Sequence, residues 1–279
     1  MDTTERAGRK EWIALGVLAL PLLLVSMDVS VLYFAVPYIS ADLGVSATEQ
    51  LWGIEGPTRP GPKPAFHVSD IGRAAIKLAD AGGLGAVSMS KVAAELGFTT
   101  MSLYRYVEAK DDLYVVMLDE AFGLPPEMDA AAGWRDRITV WAEAFQASLH
   151  RHPWILQVPV VEPPLSPNQL RWMEEGLRAF EGTPLSPQDR MSSMLLVNIY
   201  VRGATELTAN MDNLPEDEAR AAGVRYTQRL RILADPERFP TIAAGMEQPA
   251  DFIENDPSEF AFGLSTVLDG IQSLIDRRA

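Results

Sequence analysis

The side chains best suited to specific chemistry are hydroxyls, phenols and amines gathered in the stretch "SMSKVAAELGFTTMSLYRYVEAKDD", residues 88–112. Thr99, Thr100 and Ser102 are small hydroxyl groups, and Met101 between them is a flexible apolar residue. At the start of a helix, such a quartet suits contact with base edges. Hydroxyls bond to donors or acceptors, and a methionine covers thymine methyls. Tyr104, Tyr106 and Lys110 follow at spacings that turn them towards a flanking backbone, where each can donate to a phosphate. The alternative for the two tyrosines is an ordinary half-buried position against a small core.

Catalytic chemistry lacks its parts. The chain has no cysteine, which excludes disulfides, thiolate metal sites and cysteine nucleophiles. Its histidines are His67, His150 and His152. The last two form a His-x-His pair without a third clustered ligand, so they read as a solvated helix end and not as a metal site. No phosphate loop, nucleophile elbow or paired-glycine fingerprint is present. These absences point away from an enzyme, and the sequence implies no cofactor and no metal.

The elements that must position the hydroxyl cluster are helices. In "VSDIGRAAIKLADAGG", Ile71, Ala74, Ala75, Leu78 and Ala79 share one helical face, with Ser69 as the N-cap and Gly82-Gly83 as the stop. Ser88 caps a second helix whose Val92, Ala93 and Leu96 face inward. Gly97 supplies a tight turn, Thr99 or Thr100 caps again, and "MSLYRYV" is a third helix with Leu103 and Val107 towards the core. Two short helices joined by a glycine-bearing turn make a helix-turn-helix, whose second helix enters a major groove.

Charge is distributed to match. The chain carries a net −14, but residues 57–112 carry +1, against −4 for residues 1–56 and −11 for residues 113–279. Phosphate contacts are local, so a small reader on an acidic body is compatible with DNA.

The motif "SMSKVAAELGFTTMSLYRYVEAKDDLYVVML" resembles the DNA-binding domain of the TetR family of transcriptional repressors. The matching residues are Val92-Ala93, Gly97, Leu103-Tyr104, Tyr106, Lys110 and Asp112-Leu113. The resemblance implies that Ser88 and Lys91, near the start of the second helix, help hold a phosphate. In the body, "HRHPWIL" and "FAFGLSTVLDGI" resemble the C-terminal domain of tetracycline-repressor-like members.

From residue 113 onward the pattern stays helical, with Ile138, Trp141, Ala142, Phe145 and Leu149 on one stripe. The fold class is therefore all-α: a helix-turn-helix domain, then a helical ligand-binding and dimerisation domain. Most body aromatics and methionines are core. Trp141, Phe145, Trp172, Met173, Met194, Asn198 and Glu206 are the candidates for lining a small-molecule pocket. A buried Glu206 would favour a cationic ligand, and a surface or interface position is the alternative.

The N-terminal part has another character. Residues 12–36 read "WIALGVLALPLLLVSMDVSVLYFAV", an apolar run with the single charge Asp28, long enough for a membrane helix. Asp28, Pro37, Ile39, Asp42-Leu43, Ser46 and Gln50–Trp52 resemble the start of the drug/proton antiporters of the major facilitator superfamily. One helix cannot build an alternating-access pathway, so transport by this chain is excluded. Pro57, Pro60, Pro62 and Pro64 then form a stiff linker.

The domain boundaries are thus 1–56 (antiporter-like fragment, with an additional apolar helix), 57–64 (linker), 65–112 (reader) and 113–279 (body). The expected protein is a cytoplasmic homodimer that binds double-stranded operator DNA and a small hydrophobic inducer, cationic if Glu206 is buried. Its expected target is a drug-efflux gene. The alternative is a regulator tethered to the cell membrane through residues 12–36. Every helix needed for function is expected after residue 64.

Overall fold

The structure is a computed structural model that describes residues 46–54, 67–159, 163–209, 216–247 and 257–279. Every regular element among them is helical, in keeping with the all-α expectation. The apolar run at 12–36 and the linker at 57–64 lie outside the described residues. No described helix is long and apolar enough to cross a membrane.

The helices are α1 (Ala47–Leu51), α2 (Val68–Gly82), α3 (Met89–Glu95), α4 (Thr100–Leu103), α5 (Lys110–Phe122), α6 (Trp134–Arg151), α7 (Pro167–Arg178), α8 (Pro187–Ala209), α9 (Glu216–Leu233), α10 (Pro240–Glu247) and α11 (Pro257–Arg278). Short 3-10 turns cover Leu84–Ala86 and Pro153–Gln157.

Helix ends follow local chemistry. The N-cap of α2 is His67 and not Ser69, because the Asp70 carboxylate accepts from the His67 backbone N–H at 2.8 Å and starts the helix two residues earlier. Gly83 ends α2 at φ 73°, a left-handed conformation that glycine adopts without penalty. Gly72 is needed for another reason. A Cβ there would meet Val116 Cγ1 at 2.9 Å and the Val116 carbonyl at 3.2 Å, so glycine lets α2 lie close against α5.

That crossing organises the reader. Ile71 and Ala75 of α2, Val92 and Ala93 of α3, Leu103 and Val107 after the turn, and Leu113, Val116 and Met117 of α5 are all buried together. The third helix is shorter than its sequence pattern implies. After Leu103 the chain tightens, with Arg105 N–H donating to the Ser102 carbonyl and Tyr106 N–H to the Leu103 carbonyl.

Residues 46–54 belong with the reader by packing, although the sequence assigns them to the antiporter-like fragment. Ser46 and Glu49 form a capping box at the start of α1. Ala47 is buried in the common core, and the Gln50 side-chain amide donates to the Tyr106 carbonyl at 3.4 Å. The Trp52 indole N–H donates to the Leu165 carbonyl of the body at 2.9 Å. The physical reason is that one short amphipathic turn can cover an open edge of a small core. The segment before the linker thus touches both reader and body.

Two aspartates fasten reader to body. Asp119 of α5, 4% exposed, accepts from the Asn168 backbone N–H at 2.7 Å, and the Asn168 side-chain amide donates to the Asp119 carbonyl at 3.0 Å. A carboxylate thus satisfies an orphan amide in the first turn of α7. Asp80 of α2 accepts from His152 Nδ1 at 2.8 Å and from the Trp154 indole at 2.7 Å. His152 is therefore a half-buried tie and not part of a solvated helix end.

In the body, Leu268 and Ile271 of α11 face the chain's own core, 2% and 3% exposed, so they do not form a seam for a partner. Outward apolar groups on these two long helices include Leu195, Leu196, Ile199 and Leu207 of α8 and Phe262 of α11.

Asp119→Ala should lower stability by about 1–3 kcal/mol, since it removes a charge-assisted cap and leaves a buried amide unmade. Urea melts of the two proteins measure this. An unchanged midpoint would show that the tie contributes nothing.

Candidate functional site

The hydroxyl cluster forms one exposed end of the reader. Ser88 caps α3 and accepts from the Lys91 N–H at 3.4 Å, which fixes the first turn and leaves the Lys91 side chain exposed. Gly97, at φ 73°, turns the chain, and Thr99 then caps α4. Thr99 Oγ1 accepts from the Ser102 N–H at 3.3 Å and lies 3.0 Å from the Ser102 hydroxyl. Thr99 and Ser102 are thereby held as a pair beside Thr100. Met101 beside them is 78% exposed and offers an apolar tip at this end.

The remaining reader candidates divide. Tyr104 is 44% exposed and sits just past α4, on the same end. Lys110 is exposed at the start of α5, with its ammonium 5.4 Å from the Tyr114 ring centroid. Tyr106 differs: it is partly buried against the core, and its carbonyl receives Gln50. The half-buried alternative describes Tyr106, while Tyr104 keeps a free face. What this surface can do is donate hydrogen bonds to an acceptor-rich groove and cover a methyl. It holds no acid, base and nucleophile in reach of one another. Among the described residues no group of His, Asp and Glu could hold a metal ion.

The pocket candidates of the body are placed mostly in a packed aromatic cluster. Trp141 stacks on Phe145 at 5.1 Å, Phe145 on Phe122 at 5.4 Å, and Trp172 meets Trp141 edge-on at 5.8 Å. The indoles are satisfied internally, Trp141 by the Trp172 carbonyl at 2.8 Å and Trp172 by the Gly123 carbonyl at 3.1 Å. Met194 closes the cluster over Gly176, where a Cβ would meet its sulfur at 3.0 Å. Asn198 is half-buried and Glu206 is exposed.

The charge in this region is therefore not an acid. It is Arg202, one turn before Glu206, whose guanidinium carbon lies 5.8 Å from the Phe145 ring centroid. Burial pushes its pKa down from the ordinary arginine value, and the Glu206 charge opposes that shift. Of the two readings of Glu206 its exposure fits the surface position, and the half-buried ion beside Phe145 is positive.

A separate open groove of about 840 Å³ runs between Trp52, the 124–130 loop and α7, with Met173 the one pocket candidate in its lining. Sequence reasoning missed its other residues, because they come from three segments far apart in the chain.

Comparison with known proteins fits this geometry. Residues 71–117 match the family "Bacterial regulatory proteins, tetR family". Residues 125–275 match "Tetracyclin repressor-like, C-terminal domain". The HTH-type transcriptional repressor DrrR1 of Streptomyces coeruleorubidus is 34% identical over 241 residues, covering 82% of this chain and 86% of that protein. Among solved structures, the TetR family protein ActR of Streptomyces coelicolor in complex with actinorhodin superposes with a TM-score of 0.66 at 20% identity, over 77% of this chain and 99% of that one. A stretch of 53 residues, 19% of this chain, is 49% identical to the multidrug efflux pump LfrA of Mycolicibacterium smegmatis and covers 10% of the pump. The chain belongs to the tetR family of bacterial regulatory proteins.

Proposed function

We propose that the protein is a homodimeric repressor that holds operator DNA through α3 and α4 of each subunit and releases it when a small molecule binds the helical body. The observation that carries this reading is the exposed Met101, flanked by the fixed hydroxyls Thr99, Thr100 and Ser102, at the start of a helix whose other face is buried. Ser88, Lys91, Tyr104 and Lys110 flank that quartet and reach the backbone; Tyr106 supports them from within the core. Two readers must then sit about 34–36 Å apart to enter successive major grooves. A molecule that binds one domain arrangement better than another shifts the population away from that spacing.

Repression follows the DrrR1 relative, and response to a hydrophobic small molecule follows the actinorhodin complex of ActR. The apolar faces of α8 and α11 suit an isologous four-helix interface, in which Leu195, Ile199 and Phe262 meet their symmetry mates. The regulated gene in this reading encodes a drug-efflux transporter. Its support is the antiporter-like N-terminal sequence and the short match to a multidrug pump, since a repressor gene beside a pump gene readily acquires the pump's first codons.

Three outcomes test this reading. Tyr104→Ala should weaken binding to specific and random DNA alike, whereas Thr100→Ala should alter preference at one base position by about 1–3 kcal/mol. Mobility shifts on an operator and its single-base variants read both, and matching behaviour of the two variants would reverse the assignment. Ile199→Glu should give folded monomers on a sizing column that no longer retain the operator. A dimer there would place the interface elsewhere. Deleting the gene should raise the transcript of the adjacent efflux gene, and an unchanged level removes that target.

A further inference from the structure

We propose that α1 is a strap that sets the angle of the reader on the body, with Gln50 and Trp52 as positioning residues that narrow the operator spacings the protein accepts. α1 lies ahead of residue 71, where the family match begins, so the matched segment does not include it. The effect on spacing rests on the homodimeric repressor reading above; the strap itself does not.

α1 is closed at both ends by its own neighbours in sequence. At the start, the Ser46 hydroxyl accepts from the Glu49 N–H at 3.2 Å, and the Glu49 carboxylate accepts from the Ser46 N–H at 2.8 Å. At the end, Gly53 turns left-handed at φ 70° and its N–H donates to the Gln50 carbonyl at 3.0 Å. The Ile54 N–H donates to the Glu49 carbonyl at 3.0 Å, which completes a Schellman closure. A helix of five residues is too short to persist by propagation, so these two caps are what hold it in shape.

This stiff unit joins two places. Ala47 is buried in the common core and Leu51 packs against it. Gln50 donates to the Tyr106 carbonyl, and the Tyr106 N–H in turn closes on Leu103, the last residue of the recognition helix. Two residues on, the Trp52 indole donates to the Leu165 carbonyl. Leu165 precedes Ser166, the N-cap of α7, and Asp119 holds Asn168 in the same turn. The ties through Asp80 and Asp119 act on α2 and α5, whereas α1 connects the turn after the recognition helix to the start of α7. Trp52 is 49% exposed, so its bond adds little to stability. An indole has a single donor, however, and that donor fixes the ring on one carbonyl of the body. One base pair inserted between two half-sites moves them about 3.4 Å apart and turns them by about 34°. A reader that swings on its body absorbs part of that change, and a strapped reader does not.

The test uses the full chain with Trp52→Phe, which keeps a ring and loses the donor, and with Gln50→Leu. Amide hydrogen exchange reads the strap without DNA. Trp52→Phe should speed exchange by about fivefold, the loss of one hydrogen bond, at residues 166–170 and also at the far end, residues 104–107. Gln50→Leu should likewise reach residues 166–170. A change confined to the altered end overturns the strap. The second arm takes a duplex that the unaltered protein selects from a random library, the same duplex with one base pair inserted between its half-sites, and one half-site alone. The insertion should weaken the unaltered protein about fivefold more than it weakens Trp52→Phe, while the two bind the single half-site within about twofold of each other. A merely structural contact would lower affinity for all three duplexes alike, and that result, or equal insertion penalties, overturns the positioning role. A protein that selects no duplex fails the repressor reading, and the exchange arm still decides the strap.

Discussion

The architecture depends on a buried carboxylate that serves two domains at once. Asp119 sits on α5, the helix that completes the reader core, yet its charge is spent on the first turn of α7 in the body. Without it, a helix terminus would be packed against a neighbour with unsatisfied amides, which is among the costlier defects a fold can carry. Asp80 makes the second tie, through His152 and Trp154. With two fastenings on different helices, the reader is oriented on the body by more than contact between apolar surfaces.

Much of the reader was legible in the chain because its determinants are local. Ser88, Gly97 and Thr99 each act within three or four residues, as caps and a turn, and the sequence shows them directly. The buried stripe Ile71, Ala74, Ala75 and Ala79 follows from helical spacing alone. The reader–body ties were not legible, since Asp80 and His152 lie 72 positions apart and neither carries a local sign of its partner. Asp119 offered one weak signal: a lone acid pair in the apolar run "VVMLDEAF".

The body shows where spacing stops being informative. Periodicity placed Trp141 and Phe145 on an inward stripe, and they are inward. It could not tell a ring that lines a cavity from a ring that fills one, because that depends on Phe122 and Trp172 arriving from other helices. The same limit applied to Glu206 and Arg202, four residues apart, of which the arginine and not the acid turns towards Phe145. The packing of residues 46–54 against the reader was hidden for a different reason. A short capped turn ending in tryptophan satisfies the antiporter-like pattern and also fits the edge of a helical core.

The recognition helix is a single turn of four residues, Thr100–Leu103. At about 1.5 Å per residue it spans about 6 Å, less than the rise of two base pairs. One subunit therefore extracts little information from a sequence and, alone, would find very many equivalent addresses in a genome. In the homodimer proposed above, selectivity comes from multiplication: two weakly informative readings, made at a fixed separation, square the odds against a chance match. For a reader this brief, the rigidity of the spacing is itself part of the address.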